Sequence, residues 1–219
     1  MKIFYLIAGI ALFLKMLIIP NSILELNFSI VETIVKETGV TNSISGILFR
    51  NRLYDTIFEV IVFTIATLGI QYLFSDEIPS KKVYQFNDEP SIVLARLGST
   101  ITALVAIELA IRGHLSPGGG FAAGVAGGTA IGLIVITSST ELMQNIYQRY
   151  NVSKWEKITV IIFIFLASIT LFGLELPQGD LGSLVSGGMI PILNILVALK
   201  VALGSWAIIL LFIRYRGLL

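Results

Sequence analysis

Apolar runs of roughly twenty residues recur along this chain, at positions 3–19, 54–74, 92–111, 120–139, 158–176 and 188–213. An α-helix rises about 1.5 Å per residue, so each run is close to the length that crosses a hydrocarbon layer of about 30 Å. The last run is long enough to tilt or to hold a break near Gly204. Composition agrees with this pattern. Of 219 residues, 55% are hydrophobic and 13% charged, with a mean hydropathy of +0.89. Soluble domains carry about 25% charged residues, so this chain has too little polar surface to fold in water. The expected fold is all-α, a polytopic integral membrane protein with about six transmembrane helices.

The charge balance narrows the partners. Fifteen Lys and Arg stand against fourteen Asp and Glu, a net charge of +1, and no helix carries the basic cluster that holds a nucleic acid backbone. With no cysteine and one histidine, the chain offers no disulfide, thiolate metal site or cysteine-held iron–sulfur cluster. No cofactor or metal is therefore expected on this chain itself. The apolar run after Met1-Lys2 is longer than a signal-peptide core and no small-x-small cleavage site follows Pro20, so it reads as a retained first helix.

Between the first two runs, residues 21–51 mix Glu25, Glu32, Lys36 and Glu37 with apolar side chains. That mixture suits an amphipathic segment at the interface, with residues 44–49 dipping into the membrane. Residues 75–91 carry Asp76, Glu77, Pro79, Lys81, Lys82, Asp88, Glu89 and Pro90, which suits a boundary between two membrane units, 1–80 and 92–219. With six spans the termini share a face that collects Lys2, Lys81, Lys82, Arg149, Lys154, Lys157, Arg214 and Arg216. Lys36, Arg50, Arg52 and Arg112 fall on the other. The excess of Lys and Arg places both termini in the cytoplasm of a cell-membrane protein.

Lys15, Glu59, Glu108 and Lys200 fall inside apolar runs, with Asp55, Arg96 and Arg112 near run ends. A charge at a helix centre costs about 2.5–3.5 kcal/mol on insertion scales, so such groups face protein or a wet cavity. Asp55 and Glu59 lie four residues apart on one helix face, where two like charges raise each other's proton affinity and form an ion-path candidate. The alternative is that Asp55 and Thr56 cap the helix while Glu59 pairs with Arg52 or a neighbouring subunit. Glu108 and Arg112 have the spacing of an intrahelical pair, yet His114, with an ordinary pKa near 6.5, makes a Glu–His proton step equally natural. Lys200 lies too deep to snorkel and needs either a buried carboxylate or a depressed pKa. A salt bridge to another chain is its structural alternative. Lys15, nearer the end of its run, snorkels or marks a contact surface.

Residues 112–121 read Arg-Gly-His-Leu-Ser-Pro-Gly-Gly-Gly-Phe. Ser116 is placed to cap the next helix and Pro117 to occupy its first position, while Gly118, Gly119 and Gly120 permit an unwound turn with exposed amides. The run lacks the Lys-Ser/Thr ending of a phosphate loop. Gly120, Gly124, Gly128 and Gly132 then recur every fourth residue, a flat ridge suited to close helix packing.

From Gly113 through Ser116, Pro117, Gly118, Gly119 and Gly120 to Gly124, the sequence resembles the signature GHxSPGGGF of the B subunit of Mrp-type multisubunit sodium/proton antiporters, the MnhB-like family. Upstream, Arg52-Leu53-Tyr54-Asp55-Thr56-Ile57-Phe58-Glu59 is similar to the RGFDTxxE stretch of that family's A subunit in its C-terminal region. The resemblance implies two family modules fused in one chain. Residues 187–194 and Lys200 look closer to subunits of archaeal hydrogenase or sulfur-reducing complexes. It further implies an accessory, non-catalytic subunit among other antiporter-like membrane subunits and, through them, a hydrogenase-like reducing module. Sodium or protons would be the transported ions and redox cofactors would sit in partner subunits. Asp55, Glu59, Glu108, His114 and Lys200 are the implied relay or cation-facing groups. Leu53, Ile57 and Phe58 depart from the family's Gly and Leu-Gly, so the packing of the second helix does not carry over. A pure scaffold, with no ion path of its own, is the rival expectation.

Overall fold

The computed structural model describes residues 28–80, 83 and 86–217. The expected first span at 3–19, with Lys15, and the loop lysines Lys81 and Lys82 lie outside them. The chain divides into two compact units, Met1–Thr33 and Ile34–Leu219. Of the first, the described part is the opening of helix α1, Phe28–Thr38; the second holds all the other described elements.

Among the described residues the fold is all-helical, with no strand. A short helix α2, Ser43–Gly46, runs into a π-helical turn, Ile47–Asn51. Then come α3 (Leu53–Leu73), α4 (Glu89–Arg112), α5 (Gly120–Thr137), α6 (Thr140–Arg149), α7 (Val152–Leu171) and α8 (Ile190–Arg216). By length and composition α3, α4, α5 and α8 are apolar enough to cross a membrane. Helix α7 is 20 residues long but opens with Lys154, Glu156 and Lys157.

The ends follow local chemistry. Asp88 caps α4 by accepting the Ser91 amide at 3.0 Å, with Pro90 in the first turn, and Ser139 caps α6 by accepting the Leu142 amide at 3.2 Å. Asn151 turns the chain between α6 and α7 with a left-handed backbone, φ +49°, a conformation asparagine tolerates better than most residues.

Helix α8 is the axis of the fold and packs against α3, α4, α5, α6 and α7. Its buried positions include Leu193, Asn194, Val197, Ala198, Lys200, Val201, Gly204, Ala207 and Leu210, spaced by threes and fours along one broad stripe. One apolar core gathers Val40, Phe49, Leu53, Val60, Phe163, Ala167, Leu193, Val197 and Val201. A second, around Val135, Met143, Leu210 and Ile213, lies where α6 meets the end of α8. The first core joins residues on both sides of the 75–91 segment.

Three local expectations are corrected. Helix α8 is continuous through Gly204, because that glycine faces a crowded interface and needs no break. Helix α7 begins at Val152 and ends at Leu171, several residues earlier than the apolar run, since its charged first turn is helical too. Ser116 does not cap α5: its hydroxyl donates back to the Arg112 carbonyl at 3.2 Å, and the cap position is Gly119. Gly118 and Gly119 at φ +152° and +128° set Pro117 outside the helix.

Candidate functional site

The inward face of α7 reads Val152, Glu156, Thr159, Phe163 and Ala167, all buried, with steps of four, three, four and four residues. Opposite it, α8 presents Val197, Lys200, Val201 and Gly204. The Glu156 carboxylate and the Lys200 ammonium meet there as an ion pair, their side chains 5% and 1% exposed. Helix α3 closes the third side, placing the Phe63 ring centroid 5.4 Å from Lys200 Nζ. The negative face of an aromatic ring attracts a cation, and more so once water is removed. Space for this arrangement comes from Gly204, where a Cβ would stand 2.6 Å from the Phe63 ring and 3.3 Å from Glu156 Oε1.

A lone ammonium in such surroundings would carry a desolvation penalty of several kcal/mol; a carboxylate in direct contact offsets it. Lys200 thus has its buried carboxylate within its own chain. Sequence reasoning missed Glu156 as its partner: the residue lies between Lys154 and Lys157, ahead of the apolar run 158–176. Its spacing to Thr159, Phe163 and Ala167 was the available signal.

The remaining candidates lie elsewhere. Asp55 pairs with Arg52, and the Thr56 hydroxyl donates to the Leu48 carbonyl at 2.8 Å, tying α3 to the π-turn. Glu59 is exposed on α3 and makes no ion pair among the described residues. Glu108 is exposed on α4 and bound to Arg112 at 3.2 Å. His114 is fully buried, and neither ring nitrogen has a hydrogen-bond partner among the described residues. Burial lowers its pKa below the ordinary 6.5, with the backbone of Ser183 and Leu184 pulling the other way. No hydrogen bond joins His114 to Glu108.

The glycine turn is held from two sides. Asn42 donates from Nδ2 to the carbonyls of Gly113 and Ser116, each at 2.8 Å, and the Ser45 hydroxyl donates to Gly113 at 2.7 Å. Asn194 on α8 donates to the carbonyls of Leu109 and Ala110 at 3.1 and 2.7 Å, satisfying two acceptors at the end of α4. Beyond the turn the ridge seats on α8. A Cβ at Gly120 would stand 2.6 Å from Val197 Cβ, at Gly124 2.4 Å from Val201 Cβ, and at Gly128 2.7 Å from Ser205 Cβ. Among the described residues no group of three His, Asp or Glu is placed to hold a metal ion.

A family model described as "Domain related to MnhB subunit of Na+/H+ antiporter" matches residues 90–207. A chain of the membrane-bound sulfane sulfur reductase (MBS), an archaeal respiratory membrane complex, has the same fold. Its TM-score is 0.68 at 24% identity, over 97% of this chain and 96% of that one. A chain of the Mrp complex from Dietzia sp. DQ12-45-1b superposes with TM-score 0.70 at 21% identity over 94% of this chain. This chain spans a quarter (25%) of that longer one. At these identities the likeness is one of fold. No curated protein sequence matches the chain.

Proposed function

Since this chain belongs to the family of domains related to the MnhB subunit of Na+/H+ antiporters, we propose that it is an accessory subunit in the membrane arm of a multisubunit antiporter-type complex, where it helps carry sodium or protons. The observation that carries this reading is the Lys200–Glu156 pair, buried between α7 and the apolar helix α8, where an apolar pair would be the cheaper packing. We read the pair as a relay element: a proton on Glu156 leaves the Lys200 charge without its partner, a cost that the Phe63 ring and arriving water would have to offset, and loss of that proton restores the pair.

In this reading the chain spans the membrane about six times, with α7 and the apolar run 3–19 added to the four apolar helices. Both termini face the cytoplasm. The N-terminal part corresponds to a region of an antiporter A subunit and the remainder to the B subunit. Its neighbours are antiporter-like membrane subunits and, through them, a reducing module of hydrogenase or sulfur-reducing type that holds the redox cofactors. The chain turns over no substrate of its own. Asp55, Glu59 and Glu108 act toward neighbouring chains, and His114 supports the glycine turn in neutral form.

The test is flux in intact complex reconstituted into vesicles. Glu156→Gln and Lys200→Met are expected to lower cation-coupled proton movement by about tenfold or more, about 1.4 kcal/mol at the limiting step, while subunit composition is retained. The glycine ridge favours a second reading, a scaffold that only docks larger subunits. That reading predicts unchanged flux in every variant that assembles.

A further inference from the structure

On the side of the Lys200–Glu156 pair toward α6 lies a cavity of about 220 Å³, lined by Gln71, Gln144, Tyr147, Ser153, Ala207 and Arg214 among others. Several waters fit such a volume; Gln71, Gln144, Tyr147, Ser153 and Arg214 offer them partners, while Ala207, Leu210 and Leu211 make the rest of the wall apolar. Its inner wall stands one helical turn from Glu156 along α7 and, on α8, one turn from Gly204 and two from Lys200. Ser153 precedes Glu156 by three residues on α7, and Ala207 follows Gly204, which abuts Glu156 Oε1, by three residues on α8. Its outer wall, Gln144 and Arg214, also borders a larger open cavity of about 600 Å³ whose lining includes Glu141, Asn145 and Gln148. The two spaces share Gln144 and Arg214 as a common wall, so the larger one leads to the smaller.

Two further observations bear on the inner cavity. Trp206 Nε1 is buried without a hydrogen-bond partner among the described residues, and its ring meets Tyr147 edge-on with centroids 5.5 Å apart. Tyr147 has a pKa raised above its ordinary 10 by burial and then by the negative charge of Glu156, with Ser153 working the other way.

On the opposite side of the pair the packing is dry. Val60, Phe163, Ala167, Leu193, Val197 and Val201 are at most 2% exposed and form one apolar cluster.

We propose that the two cavities form a dead-ended aqueous well, through which the Lys200–Glu156 pair exchanges protons with one membrane face only, the face bearing Arg149, Arg214 and Arg216. This rests on the reading of the pair as a proton-exchanging element. A proton passing from a hydronium ion in the well to Glu156 leaves water and a carboxylic acid, and its return restores the pair. The apolar cluster bars release to the other face within this chain, so the rest of the route belongs to a neighbouring subunit.

The chain has no native cysteine, so single cysteines report access directly. In membrane vesicles of both orientations containing the intact complex, Ser153→Cys and Ala207→Cys are to be treated with a membrane-impermeant methanethiosulfonate ammonium reagent. Gln148→Cys is the surface control and Ala167→Cys the control within the apolar cluster. The expected result is modification of Ser153→Cys and Ala207→Cys from the Gln148 side alone. Ala167→Cys is expected to react at least about tenfold more slowly from either side, since reaching it requires the packed helices to open. Unreactive Ser153→Cys and Ala207→Cys, or modification from both faces, would overturn the well. If a variant fails to assemble, hydroxyl-radical footprinting of the native complex decides: oxidation of Tyr147 and Trp206 with Phe163 spared supports the well, and protection of all three overturns it. Neither readout needs transport, so a failed well and a failed relay are told apart by the flux of Glu156→Gln.

Discussion

Lys200 and Glu156 bring two charges into a place with 1% and 5% exposure, and what they contribute depends on both being present. Removing either alone strands its partner, at a cost of about 3–5 kcal/mol, whereas replacing both with apolar or neutral groups of similar volume is often close to neutral. Lys200→Met is therefore expected to lower the temperature at which the assembled complex releases the subunit, and Lys200→Met with Glu156→Gln to recover most of the loss. Thermal retention of the subunit in the complex measures this, and additive losses would mean the two side chains do not interact. His114 gives a pH signature. Its pKa is lowered by burial, so its contribution to stability is fully present above about 6.5 and is lost as pH falls from there toward the folded-state value. In a comparison of thermal midpoints across pH, His114→Leu is expected to flatten that acid limb. An unchanged acid limb would show that His114 is not the group being protonated.

At the scale of elements, contact between α5 and α8 rests on the absence of side chains. Gly124 has Val201 Cβ at 2.4 Å and the Ala198 carbonyl at 2.8 Å from the site of a Cβ, so even one carbon forces the helices apart. Gly124→Val is expected to cost about 1–3 kcal/mol through overpacking and to reduce recovery of the subunit in the complex. Gly69 on α3 has nothing within 4 Å, and Gly69→Ala is expected to leave recovery unchanged, which separates packing from helix propensity. Equal recovery of the two variants would remove the ridge as a determinant of assembly. The four-residue spacing of Gly120, Gly124, Gly128 and Gly132 announced a ridge; that α8 fills it was beyond reach of spacing, because any apolar helix in the chain is an equally good partner in pattern.

Across the whole molecule, the helices leave much apolar surface uncovered, including Phe58, Val62 and Ile65 on α3 and Leu94, Leu97 and Leu104 on α4. Lipid accepts such surface, but it does not readily accept the two charges standing on it. Glu59 on α3 and Arg96 on α4 are exposed and make no ion pair among the described residues. Arg96 sits about 10 Å into α4 from Glu89. Charges so placed are expected to face neighbouring chains. Arg96→Leu should then lower co-purification of adjacent membrane subunits on native gels, and Glu59→Gln should lower coupled flux in complex that still assembles. Full co-purification with Arg96→Leu would leave that face to lipid.

Helices α3, α4, α5 and α8 were legible to within three residues at each end, because a spanning segment must satisfy its backbone internally and present about twenty apolar side chains to its solvent. The glycine signature was legible too, as were the positions of Lys200 and Glu59, since a charge within an apolar run stands out without any knowledge of the fold. What the sequence could not supply was company. Glu156 lies between two lysines ahead of its apolar run, and only the antiparallel packing of α7 on α8 turns it inward to Lys200, 44 positions along the chain. Asp55 and Glu59 share a helix face by spacing alone; that the turn before α3 brings Arg52 to Asp55 is seen only in the fold. Local pattern determines where a charge sits along its own helix; which charge it meets, and from which side water reaches it, depends on how helices distant in sequence pack, and that is decided only by the tertiary structure.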